Sequence, residues 1–228
     1  MKELLTKDFW RDVKRTYEDA REGTAAVAAP AEATAEEVAP KSYDFRAILF
    51  DMDGVLYDGD RPIDGAADAI RQIQAEGIPH LFLTNTTSRS RADLVVKLAA
   101  YGIEAAEQQI LTPAAAAASW LREHAKGGVA VFVRPSALSE FADLTLLPDD
   151  AEHGAEFVVI GDLGDLWDFR TINRAFRLLH SNPEAKLIAL GMTRYWMSPD
   201  GIALDVAPFV VALEFASRRR AMVFGKPG

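Results

Sequence analysis

Apolar residues recur at every fourth position at the start of the chain and then give way to short, unbroken apolar runs. Leu5, Phe9, Val13 and Tyr17, with Leu4 and Trp10 beside them, predict one amphipathic helix over residues 1–22. Residues 23–42 are rich in Ala, Pro and Glu and read as a semi-extended linker. The folded part is expected from about Tyr43. Arg46–Phe50 and His80–Leu83 are apolar runs that end in polar residues, as buried strands do. Between and after them, Ala66–Glu76 and Ser90–Tyr101 repeat apolar residues at helical spacing and stop at Gly77 and Gly102. Ile110–Thr112 makes a short third strand. A second block follows, with helices over Ala114–His124, Phe169–His180 and Val206–Ser217 and strands over Val129–Val133, Phe157–Ile160 and Lys186–Leu190. Met222–Phe224 then leads into Gly225-Lys226-Pro227-Gly228. Strands alternating with helices imply parallel sheets and an α/β fold.

Composition narrows the function without choosing it. The chain has 228 residues, a formal net charge of −9 and no cysteine. An acidic surface repels nucleic acid, and it repels a phosphorylated substrate unless the site makes its own positive field. Without cysteine there is no disulfide, no thiolate metal site and no Cys nucleophile. The N-terminal residues lack the apolar run of a secretory signal, and no stretch suits a bilayer span, so a cytoplasmic protein is expected. Bases and acids balance over residues 1–22, which disfavours membrane docking; the helix is expected to pack on its own domain or fray, or else to dock into a groove on a partner protein.

The chemistry gathers at strand ends, where open α/β sheets bind their ligands. Asp51 and Asp53 follow the first strand, Thr84 and Asn85 follow the second, and Lys226 stands near the last residue. Such a set can run phosphoryl transfer. Asp51 attacks phosphorus, and Asp53 protonates the leaving group and later activates water. Thr84 donates a hydrogen bond to the phosphoryl group, and Lys226 offsets the negative charge. Asp51 and the Asp53 carbonyl are hard oxygen ligands suited to Mg²⁺. Gly54 turns the backbone so that amides approach the phosphate.

In this order and spacing the motifs resemble those of the haloacid dehalogenase (HAD) superfamily: Asp51-Met52-Asp53-Gly54-Val55-Leu56-Tyr57, then Thr84-Asn85, then Gly225-Lys226-Pro227. Leu83–Leu94 and Leu204–Glu214 add to the likeness, which covers about residues 44–228. The resemblance implies a Rossmann-like parallel-sheet core interrupted by an inserted α/β cap of type II, because about 140 residues separate Thr84 from Lys226. The core then comprises residues 43–112, the cap 113–221, and the return to the core 222–228. It implies Mg²⁺-dependent hydrolysis of small phosphoesters, phosphoramides or pyrophosphate, pairing of two copies through the cap, and a substrate contact from Asp205 on the cap segment. It implies substrate contacts from Gly54 and Asn85 as well, although a loop-shaping role for Asn85 and a helix-start role for Asp205 stay equally open.

The same family pattern includes a fourth motif, two acids after a further strand, expected after Lys226. On this pattern the core is incomplete at its C-terminus and the Asp51 strand keeps an open edge. Phe157–Ile160 followed by Gly161, Asp162, Asp165 and Asp168 imitates that motif, but accepting it leaves Gly225-Lys226-Pro227 without a role. It reads better as a cap strand with turn and cap acids. Arg218–Arg220 suits a helix C-terminus, Tyr195-Trp196 reads as packing within the cap, and the four histidines form no ligand pair. Two other functions compete with the phosphatase. One is a catalytically inactive HAD-like scaffold that recruits a partner through the N-terminal helix. The other takes Asp51-x-Asp53 as the metal pair of a glycosyltransferase, against which Lys226 argues.

Overall fold

The computed structural model describes residues 46–198 and 200–226. The expected helix over 1–22 and linker over 23–42 lie outside them.

The first apolar run forms strand β1 (Ile48–Asp51), and a tight hairpin follows it, β2 (Tyr57–Asp58) with β3 (Arg61–Pro62). Helix α1 (Ala66–Ala75), strand β4 (His80–Leu83), helix α2 (Arg91–Ala100) and strand β5 (Ile110–Leu111) complete this part. The order β1-β4-β5 is parallel throughout, with Phe50, Phe82 and Ile110 in one row. The shared row decides which face is covered. Phe82 and Ile110 pack with Met52, Leu56, Ile70, Leu94 and Leu98, so α1 and α2 lie on that face. Leu81 and Leu83 point the other way and are only half-buried. Ser90 starts α2 by accepting a hydrogen bond from the Asp93 amide, which is why the helix begins where it does.

The second block is α3 (Pro113–His124), β6 (Gly128–Phe132), the short α4 (Pro135–Leu138), β7 (Ala155–Ile160), α5 (Phe169–Ser181) and β8 (Lys186–Ala189). A hairpin follows, β9 (Tyr195–Ser198) with β10 (Gly201–Leu204), then α6 (Val206–Ser217) and β11 (Met222–Val223). The main sheet has the order β11-β8-β7-β6, again parallel. Both faces are covered. Val158 and Ile160 pack under α5 and α6 with Leu178, Leu179 and Val210. Phe157 and Val159 pack under α3 with Ala117, Ala118 and Leu121. That double burial explains the unbroken apolar run at 157–160.

Two expectations change, and the reading of Phe157–Ile160 as a strand with Asp168 as a helix cap stands. Met222–Val223 does not open the return to the first sheet. It is the edge strand of the second sheet, paired with Ile188 and Ala189, because β8 offers a free parallel edge beside it. The return starts at Phe224, whose amide still donates to the Ala189 carbonyl. Tyr195 and Trp196 do not pack inside. They lie on β9 of the hairpin, 54% and 45% exposed. The Phe157–Ile160 strand stands in the middle of the second sheet, and Asp168 after it caps α5 by accepting from the Thr171 amide, so the imitation of a fourth motif has no place beside Asp51.

The two sheets are fastened to one another near the start of α2. Glu140, almost fully buried, receives the Arg91 guanidinium on both carboxylate oxygens and the Arg91 amide at 2.8 Å. The Ser90 amide donates to Ser136 Oγ at 2.9 Å, and the Asp162 amide donates to Thr87 Oγ1 at 3.2 Å. Removing one partner from a desolvated ion pair strands the other. Glu140→Ala is therefore expected to lower the unfolding free energy by about 3 kcal/mol in urea titration. An unchanged midpoint would show that the pair carries no stability.

Candidate active site

Parallel pairing brings the ends of β1 and β4 level. Asp51 lies opposite Leu83, the Met52 amide donates to the Leu83 carbonyl at 3.1 Å, and the Thr84 amide donates to the Leu111 carbonyl at 3.1 Å. Asp51 and Thr84 therefore leave the same sheet edge side by side. The chain turns directly after Asp51. The Met52 carbonyl accepts from the Leu56 amide at 2.8 Å and from Tyr57 at 3.3 Å, and the Gly54 amide donates to the Tyr57 carbonyl at 2.7 Å. Gly54 takes φ +79°, a backbone angle that a side chain resists. This turn uses the Met52 carbonyl and the Gly54 amide and leaves the Asp53 carbonyl out of its bonding. Asp53 Oδ1 accepts a long hydrogen bond, 3.4 Å, from the Gly59 amide in the β2–β3 turn.

Lys226 reaches this edge from the far end of the chain. Its Nζ lies 2.7 Å from Asp51 Oδ1, a contact across 175 positions of sequence. The side chains of both are partly open to solvent, 36% and 51% exposed. The placement comes from Asn85. Its side-chain amide donates to the Lys226 carbonyl at 2.8 Å, and its oxygen accepts from the Lys226 amide at 2.7 Å. Both polar ends of the Asn85 side chain thus serve the Lys226 backbone, and the loop-shaping role describes it better than a substrate contact. Gly225 makes the approach feasible. At φ +151° a Cβ there would crowd the Leu190 carbonyl at 3.1 Å and would meet Asn85 Oδ1 at ordinary contact distance.

Thr84 is buried. Its Oγ1 lies 2.9 Å from Thr86 Oγ1 and accepts from the Thr86 amide at 3.1 Å. A hydroxyl so placed can turn its proton outward. Asp205 lies on the second-sheet part of the chain. It starts α6, accepting from the Val206 amide at 2.8 Å, and shares no hydrogen bond with the Asp51 group. Burial raises the Asp205 carboxyl above its ordinary range against the pull of the Val206 amide, and the nearby Asp162 charge raises it further. Asp162 pairs with Arg134 at 3.4 Å, and its Oδ1 accepts from the Gly164 amide. Asp51, Asp53, Gly54, Thr84, Asn85 and Lys226 are brought together; Asp205 belongs to the second sheet.

The oxygen donors at hand suit a hard cation. The Asp51 carboxylate and the Asp53 carbonyl, which accepts no hydrogen bond among the described residues, fit Mg²⁺, which keeps several of its own waters. No group of three or more His, Cys, Asp or Glu gathers as a metal site among the described residues. No helix among them is long and apolar enough to cross a membrane. Sequence reasoning missed Tyr57 as part of the site's floor. Its ring is buried, and burial followed by the Asp53 charge raises its phenol to about 12. A phenol raised in the folded state stays protonated while the unfolded chain ionises. Stability is therefore expected to fall as pH rises from about 10 to about 12, and Tyr57→Phe should remove that loss and the late step in a 295 nm absorbance titration.

The sequence model of haloacid dehalogenase-like hydrolases matches residues 48–146. The chain is 36% identical over 182 residues to the mouse "Haloacid dehalogenase-like hydrolase domain-containing protein 2", covering 80% of this chain and 67% of that protein. It is 33% identical over 187 residues to the phospholysine phosphohistidine inorganic pyrophosphate phosphatase of Xenopus laevis, with the same coverage. The chain thus spans about two thirds of these relatives. Among solved structures, a hypothetical protein from Pyrococcus horikoshii OT3 superposes with a TM-score of 0.75 at 26% identity, over 81% of this chain and 72% of the other. The p-nitrophenyl phosphatase from Archaeoglobus fulgidus has a TM-score of 0.70 at 24% identity, over 79% and 68%, a likeness of fold.

Proposed function

The chain belongs to the haloacid dehalogenase-like hydrolases, and from that membership we propose that it is a Mg²⁺-dependent phosphatase working through an aspartyl phosphate on Asp51. The observation that carries this reading is the Asp51 carboxylate at a parallel-sheet edge with the Lys226 ammonium 2.7 Å away.

In the first step an Asp51 carboxylate oxygen forms a bond to phosphorus as the bond from phosphorus to the leaving oxygen or nitrogen breaks. Asp53 gives its proton to that leaving atom. In the second step water attacks phosphorus, the acyl–phosphate bond breaks, Asp53 takes the proton of the water, and Asp51 regains its carboxylate. Phosphate and the dephosphorylated product leave. Lys226 faces the charge that spreads over the equatorial oxygens, and Thr84 adds a hydroxyl donor, whereas the Gly54 amide is already spent on the Tyr57 carbonyl. Asp51 and the Asp53 carbonyl would hold Mg²⁺, which when bound would neutralise phosphoryl charge. The local positive charge answers the repulsion that a net charge of −9 imposes on an anionic substrate.

The second sheet, fastened at Glu140, Ser136 and Asp162, acts as a cap that excludes water and selects small substrates. Substrates of the class named in the Xenopus relative fit this scheme, namely phosphoramides and pyrophosphate, along with small phosphoesters. In this scheme Asp205, at the start of α6, contacts substrate from the cap side.

With p-nitrophenyl phosphate and added Mg²⁺, the chain is expected to release nitrophenol and phosphate. Asp51→Asn should abolish turnover, and Lys226→Ala should lower kcat by about 10²–10³. Asn85→Ala should act as a weaker Lys226→Ala, lowering kcat about tenfold with the fold intact by circular dichroism. Substantial turnover by Asp51→Asn would refute the nucleophile, and inertness of the wild type would favour the scaffold reading.

A further inference from the structure

Asp53 is held by a hairpin that is too small to stand alone. Each strand of β2–β3 has two residues, and an isolated ribbon of that size is marginal in water. Something outside must set its position. Tyr57 at one end is buried in the core of the first sheet. The turn at the other end, Gly59-Asp60, is exposed.

Lys97 supplies the missing anchor. It lies in the last turn of α2, yet its side chain is only 14% exposed, unusual for a helix-surface lysine. Its Nζ donates to the Gly59 carbonyl at 2.7 Å and stands 3.5 Å from an Asp60 carboxylate oxygen. The same ammonium lies 4.1 Å from the centre of the Tyr57 ring and 6.0 Å from that of Tyr101. Its stem and charge are thus committed to the hairpin from both sides. Gly59, at φ +56°, is gripped on its two polar groups, with its carbonyl on Lys97 and its amide on Asp53 Oδ1. Moving the Gly59 turn moves the donor that orients the Asp53 carboxylate.

We propose that Lys97 is a positioning residue for Asp53: by holding the Gly59 turn it fixes the direction in which the Asp53 carboxyl delivers its proton. The inference rests on the reading of Asp53 as the acid and base. It commits Lys97 to the proton transfer and not to binding of the phosphoryl group, which it does not touch.

The test pairs two substrates with a spectroscopic readout. A p-nitrophenolate leaves without much help from an acid, whereas the alkoxide of glycerol 2-phosphate needs a proton. In Lys97→Met, kcat/KM on glycerol 2-phosphate is expected to fall about tenfold or more, while kcat/KM on p-nitrophenyl phosphate stays within about twofold. Lys97→Arg, which keeps a cation and a donor, should restore most of the loss. By NMR, the backbone order parameter at Gly59 and Asp60 should fall in Lys97→Met from about 0.85 to below about 0.6, with the amides of α2 unchanged. Equal losses on both substrates, or an unchanged order parameter at Gly59, overturn the inference. If the wild type hydrolyses neither substrate while the Gly59 turn loosens as expected, the phosphatase reading has failed and the anchoring by Lys97 has not.

Discussion

A carboxylate at the end of one strand and an ammonium 175 residues away meet at 2.7 Å, and the rest of the site is arranged around that contact. The contact does not hold itself. Both groups are partly exposed, and a pair in that setting contributes no more than about 1 kcal/mol. Backbone hydrogen bonds fix the geometry instead. The Met52 amide ties the end of β1 to β4, and Asn85 reads the Lys226 amide and carbonyl as one unit. A weak ion pair in a rigid backbone frame is what a phosphoryl site needs. The charges are placed in advance, yet neither is so deeply satisfied that it cannot turn toward a substrate.

The frame has a consequence for how the two sheets cooperate. Asn85 leaves β4 of the first sheet, while Lys226 follows β11 of the second, so the site is completed only where the chain steps from one sheet to the other. The buried Glu140–Arg91 pair and the Thr87–Asp162 contact stand in the same region, in the segment between Thr84 and α2 and the loops it meets. The loop carrying Thr84 and Asn85 therefore serves the sheet edge through its first residues and the second sheet through its last.

Much of this was legible in the sequence. The strands and helices follow from apolar runs and helical spacing, and Asp51, Thr84 and Lys226 stood out because polar residues that close apolar runs mark the ligand end of a parallel sheet. What escaped notice shares a physical cause. The Asn85 clamp ends on backbone groups 141 residues away, and every residue has such groups, so nothing in the sequence marks the partner. Lys97 looks like any solvated lysine on a helix until the hairpin folds over it. The two hairpins carry no alternating pattern long enough to read, and the exposed Trp196 and Met197 of β9 invert the usual inference from hydrophobicity. The edge position of β11 depends on β8 having a free side, a property of the sheet and not of residues 222–223.

If Asp51 is the nucleophile, the carboxylate itself becomes phosphorylated during turnover. Acid quenching followed by reduction with tritiated borohydride converts an acyl phosphate to labelled homoserine. The account predicts tritium at position 51 in the wild type turning over p-nitrophenyl phosphate. Product formation with no label there, or with label at another carboxylate, would contradict it.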